Sequence, residues 1–164
     1  MMRHLLLASV FLLAGCGPTP EEQAAQDAQA VEEVRANQVP PPERLQPEPI
    51  LYPDIEEHDL FGAGCNFVPE GGGLGAIAIA QEDRGYMKQG GEVLTFAADK
   101  GSARQPLGSY RKYDGRLFGF TLELTGDAGE QEGIETMNVP ANLTVRDGRG
   151  RTVFAAPGIA QCGS

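Results

Sequence analysis

Three glycine-bearing turns, each set between short alternating segments, limit what this chain can fold into. Residues 84–89 and 92–98 flank Gly90-Gly91, a two-residue turn of the primed type that joins hairpin strands. Residues 109–113 and 116–125 flank Asp114-Gly115, and residues 142–146 and 151–155 surround Asp147-Gly148-Arg149-Gly150. In the second hairpin Phe118, Phe120, Leu122 and Leu124 share one face, and the more polar set Leu117, Gly119, Thr121, Glu123 and Thr125 the other. That is the pattern of a half-buried antiparallel strand. Residues 74–80 are apolar on both faces, with Ile77 and Ile79 on one side, so a central strand is expected there. Strand material at 66–68 brings the total to about seven or eight short strands. An all-β fold follows, a small antiparallel β-sandwich or barrel, with helix limited to a turn near 54–60.

The N-terminal region reads differently. Arg3-His4 precedes an apolar run, Leu5 to Leu13, that ends in Leu13-Ala14-Gly15-Cys16. This run is about half the ~20 residues that crossing a bilayer requires, so it reads as a secretory signal. Leu13-Ala14-Gly15-Cys16 resembles the lipobox of bacterial lipoproteins. The resemblance implies a signal peptide over 1–15 and a lipidated Cys16 as the first residue after cleavage. It also implies a membrane anchor in the bacterial cell envelope. Gly17, rather than Asp, after the lipidated cysteine implies the periplasmic face of the outer membrane. Multiple acyl chains make such anchoring stable. With Cys16 assigned to lipid, Cys65 and Cys162 remain as an even pair in an oxidising compartment, and a disulfide between them is expected.

Residues 16–51 read as an acidic, Pro-rich tether, and 52–164 as the disulfide-closed β domain. Thr19-Pro20-Glu21-Glu22 is a helix start, with Thr19 as N-cap and Glu22 placed for a capping box. Residues 23–35 are rich in Ala, Gln and Glu, with only Val31 and Val34 larger among the apolar ones, so a fraying helix or disorder is expected. Prolines from Pro40-Pro41-Pro42 to Pro53 then impose extended chain. At ~3 Å per residue such a tether reaches up to roughly 100 Å.

Charge removes one class of function. The chain carries 23 acidic against 13 basic residues, a net charge of −10. Nucleic-acid binding needs a cluster of Lys and Arg, and the nearest approach, Arg146, Arg149 and Arg151, is interrupted by Asp147.

Signals for chemistry are sparse, and no cofactor or metal is expected. Gly71-Gly72-Gly73-Leu74-Gly75-Ala76 matches the dinucleotide fingerprint, but strand-like Ile77-Ala78-Ile79 follows where that fingerprint needs a helix. His58 sits among Glu56, Glu57 and Asp59, with no nucleophile elbow nearby to make Ser102 or Ser109 reactive. His58, the one histidine outside the expected signal peptide, and two bridged cysteines make no closed zinc site. The acidic loop 126–133 lacks the ligand spacing of a calcium loop. Glu123 and Glu135 are the pair a carboxylate-dependent hydrolase would use.

Tyr110, Arg111, Lys112 and Tyr113 form the candidate partner-binding surface. Tyr and Arg are favoured at interfaces, and strand alternation sets Tyr110 with Lys112 on one face and Arg111 with Tyr113 on the other. A small lipoprotein with a bridge near its domain ends and a Ser109-Tyr110…Asp114-Gly115 hairpin is similar to membrane-bound lysozyme inhibitors of the C type. The Gly-rich insert, the long tether and the absence of Trp depart from that family. The expectation is a non-catalytic binding domain for an envelope protein or glycan. A lysozyme-inhibitor-like module and a small periplasmic hydrolase are the alternatives.

Overall fold

The computed structural model describes residues 17–38, 41–42, 44–126, 131–132 and 136–164. Cys16, Glu135 and most of the acidic loop 126–133 lie outside these residues. The chain divides between Pro41 and Pro42 into two units.

The first unit contains helix α1, Pro20–Gln38, of which no residue is buried. Its start follows the sequence: Thr19 Oγ1 accepts from Glu22 N at 3.3 Å, and Glu22 Oε2 accepts from Thr19 N at 2.8 Å. The helix continues past the expected Arg35 to Gln38, sustained by helix-favouring Ala, Gln and Glu.

The second unit is a closed antiparallel barrel. Its strands are β1 (Gly64–Pro69), β2 (Ala78–Gln81), β3 (Arg84–Gln89), β4 (Glu92–Ala98), β5 (Lys112–Asp114), β6 (Phe118–Leu124), β8 (Thr136–Asp147) and β9 (Thr152–Gly163). A two-residue β7, Gln131–Glu132, pairs with the start of β8. Each strand pairs with its chain neighbour. The ring closes because β6 skips β7 to pair with β8 and β9 returns to β1. These two closures make a barrel where the sequence left barrel and sandwich open. Gly90 and Gly91, at φ 59° and 79°, form the expected primed turn between β3 and β4.

Eight strands enclose a space that side chains just fill. Phe67, Met87, Tyr113, Leu122, Leu143 and Val145 are fully buried within it. Phe96 meets Phe120 edge-on at 5.1 Å, and Tyr113 stacks on Phe120 at 4.8 Å. Gly85 makes room for this stack: a Cβ there would lie 2.6 Å from Phe120 Cζ. Phe118, Phe120 and Leu122 point inward as the alternation predicts. The Cys65–Cys162 disulfide joins β1 to β9 at directly opposed positions inside the barrel.

Two boundaries differ from expectation. The strand foreseen at 74–80 is β2, Ala78–Gln81. Leu74 is 93% exposed in the loop, and Ile77 and Ile79 separate: Ile77 joins the interior cluster and Ile79 an outer one. Two-residue alternation does not extend into the glycine-rich loop, so it cannot set Ile77's side. The segment read as the end of the tether instead belongs to the barrel. Leu45 and Ile50 are buried, and Glu48 bridges to Lys88 while its carboxylate accepts from Gly91 N. From there the chain crosses the outside of the barrel as α2, Tyr52–His58. This covers an outer cluster of Ile50, Leu60, Ile79 and Tyr86. Asp54 pins α2, accepting from Leu51 N at 2.8 Å and from Lys88 Nζ at 2.6 Å.

The barrel therefore has two distinct ends. The chain arrives at the end bearing Gly90-Gly91 and the turns at 115–117 and 148–151. The opposite end carries the Glu82-Asp83 turn, the β4–β5 connection at 99–111, and the segment leading into Gly64.

Candidate binding surface at the loop end of the barrel

The 99–111 connection is long, and its sequence folds it back on itself. Asp99 starts a turn, with Gly101 N donating to Asp99 Oδ1 at 2.9 Å and Ser102 N to Asp99 O at 2.9 Å. Two antiparallel rungs follow: Arg111 N donates to Ala103 O at 2.9 Å and Gln105 N to Ser109 O at 2.8 Å. The tip is Pro106-Leu107-Gly108. Leu107 holds φ 56° and ψ 27°, and Gly108 φ 80°. A left-handed conformation costs a branched residue about 1–2 kcal/mol, and Leu107 is also 42% exposed. Strain of this kind concentrates at functional loops.

The base of the loop is fixed firmly. Ser109 is fully buried, its Oγ donating to Pro106 O at 2.8 Å and lying 3.7 Å from Cys65 Sγ. Gln105 Nε2 donates to Leu122 O at 2.8 Å. Tyr113 Oη accepts from Tyr110 N at 2.8 Å and donates to Gln81 O at 2.6 Å, tying the loop to the end of β2. Burial pushes the Tyr113 phenol up to about 12, outweighing the Tyr110 N–H bond that favours the phenolate. Two surface ion pairs latch the loop to the neighbouring turn, Lys100–Asp83 at 2.7 Å and Arg104–Glu82 at 3.2 Å. The Lys100 ammonium, by hydrogen bond and then by charge, holds Asp83 below the usual carboxylate range. Exposed pairs of this sort contribute little to stability but fix orientation.

Between loop and turn lies an open cleft of about 630 Å³, lined by Gly62, Gln81, Glu82, Arg84, Tyr86 and Leu107. Phe61, next to Gly62, is 58% exposed. The cleft thus has two exposed apolar side chains near it, and Glu82 and Asp83, each ion-paired to the loop, on its rim.

The four residues singled out from the sequence separate here. Tyr110 is half-buried, packing against the barrel core with the Arg104 guanidinium 6.0 Å from its ring centroid. Arg111 is partly exposed and lies 3.9 Å from Glu123. Lys112 is exposed on the outer face, beside a 350 Å³ groove with Asp114, Thr121 and Arg146. Tyr113 is not a surface residue: it is fully buried, in register with Phe120. The expected pairing of faces fails because β5 begins only at Lys112, leaving Tyr110 and Arg111 in the loop. Leu107 carries no alternation signal in the sequence; the Pro-x-Gly of Pro106-Leu107-Gly108 is the turn signal that marks it.

Other sequence candidates are dispersed. His58 is exposed at the end of α2, and Glu123 is exposed on β6. Among the described residues no group of three or more His, Cys, Asp or Glu is placed to hold a metal ion. The Gly71–Ala76 stretch is the β1–β2 loop, with strand rather than helix after it. No family model, curated protein or solved structure matches this chain.

Proposed function

We propose that this chain is a lipid-anchored protein of the bacterial envelope, whose barrel is a non-catalytic binding module engaging its partner through the 99–111 loop end. One observation carries the binding reading: the barrel interior is filled by side chains while the strained, exposed Leu107 stands at the end opposite the chain's arrival. A filled barrel leaves recognition to its surface, and a rigidly based loop with an apolar tip suits a protein or glycan partner. The Leu13-Ala14-Gly15-Cys16 motif supports lipidation at Cys16, and an α1 with no buried residue suits a spacer.

A lysozyme-inhibitor-like module is the second reading. It rests on the Ser109-Tyr110…Asp114-Gly115 resemblance, with Ser109 itself fully buried beneath the Pro106-Leu107-Gly108 turn. Two experiments test these readings. Cys16→Ser should move the protein from the membrane to the soluble fraction; a variant that still pellets with membranes refutes the anchor. Leu107→Asp should abolish partner binding, and any inhibition of a lysozyme, without lowering the melting temperature. Unchanged binding would clear the loop.

A further inference from the structure

The barrel closes through a three-residue β5, which leaves part of the β4 edge without a partner strand. The two-residue turn makes Gln89 and Glu92 a hydrogen-bonded pair, so Glu92, Leu94 and Phe96 direct their backbone groups to β3. Ala98, in the same phase, donates to Asp83 O. Val93, Thr95 and Ala97 must then present N–H and C=O to the opposite edge. There β5 meets only Ala97 and Ala98. Among the described residues the edge at Val93 and Thr95 has neither a ladder nor a loop backbone partner.

Natural sheets blunt such edges with proline, lysine, bulges or a covering element. The segment Glu92-Val93-Leu94-Thr95-Phe96 has no Pro, Lys or bulge, and it is rich in strand-favouring residues. Beside it lies a pocket of about 100 Å³ lined by Leu94, Phe96, Arg116, Leu117 and Phe118, with Leu117 52% exposed.

We propose that β4 pairs with β4 of a second copy, antiparallel about a two-fold axis through Leu94. The register is self-complementary. Val93 of each copy exchanges backbone bonds with Thr95 of the other, and the two Leu94 side chains fall opposite each other on the face of the apolar pocket. Glu92 of each copy then lies opposite Phe96 of the other, at the rim formed by Arg116. Glu92 and Arg116 form no ion pair within their own chain among the described residues. Opposite charges therefore meet twice across the axis, which lets two acidic chains associate at this edge. The two-fold arrangement consumes both open edges and stops at a dimer.

The test is cysteine crosslinking of the full chain in the cell that makes it. Leu94→Cys should give a covalent dimer on mild oxidation. Adding Thr95→Pro should abolish it, since that N–H faces the open edge and serves no internal bond. Adding Glu92→Arg should also abolish it, and Glu92→Arg with Arg116→Glu should restore it. Melting curves of each variant establish that the barrel persists. Absence of the Leu94→Cys dimer, a dimer indifferent to Thr95→Pro or Glu92→Arg, or failure of the charge swap to restore it overturns the proposal.

Discussion

Tyr113→Phe isolates the bond pair that seats the candidate loop. The substitution keeps the ring that stacks 4.8 Å from Phe120 and removes only the hydroxyl. That hydroxyl accepts from Tyr110 N and donates to Gln81 O within a fully buried side chain. Losing it leaves a buried carbonyl and an N–H short of partners, at a cost of about 1–3 kcal/mol. For a unit of this size that is a fall of roughly 3–10 °C in melting temperature. Amide exchange should accelerate at Tyr110 and its neighbours in 103–111 more than in β8 and β9. The same variant removes an alkaline transition. Folding raises the Tyr113 pKa to about 12 from an ordinary 10.0. Its contribution is therefore complete below pH ~10 and is lost as pH rises toward ~12, because the unfolded chain ionises first. Calorimetry from pH 8 to 12 should show the wild-type and variant curves converging at the alkaline end. Equal melting temperatures at neutral pH, with unchanged exchange at Tyr110, would refute this account of the loop's seating.

Other consequences follow from the packing. Cys162→Ala opens a bridge spanning 97 positions, and the chain-entropy model gives about 4–5 kcal/mol for such a loop; calorimetry should show a fall in melting temperature of more than ~10 °C. Gly85→Ala drives a methyl against Phe120 and Tyr113, with an expected loss of about 1–3 kcal/mol in urea unfolding. Asp54 is held below its ordinary range first by the Lys88 hydrogen bond and then by Leu51 N. Its hold on α2 is present above pH ~4 and lost as acidification passes its lowered pKa. Exchange at Ile55 should therefore rise at acid pH in wild type, and already at neutral pH in Asp54→Asn.

Much of the barrel was legible because its hairpins are local. Gly90-Gly91 specifies a turn that few other sequences make, and β3 and β4 lie within the expected bounds. Phe118 to Leu122 alternates cleanly because one face meets a packed core and the other does not. The cysteine pairing was legible from parity, because Cys65 and Cys162 are the only two cysteines after Cys16. The joins β1–β9 and β6–β8 were not, since alternation states which side faces inward but never which distant strand lies alongside. Leu45 and Ile50 stood as isolated apolar residues among prolines, a pattern shared by spacers and by straps that dock. Tyr113 and Leu107 exchanged roles for a related reason. A Tyr beside Arg and Lys resembles a surface anchor, but its hydroxyl is satisfied internally, and the exposed residue is the leucine at a strained turn.

The central claim is that the Leu107 tip meets the partner, and site-specific photocrosslinking in the cell tests it most directly. A photoreactive residue at position 107 of the full chain should give one reproducible adduct. The same residue at Asn142, exposed on the outer face of β8, should give none. An adduct from 142 with none from 107 would contradict the account and move recognition to the barrel wall.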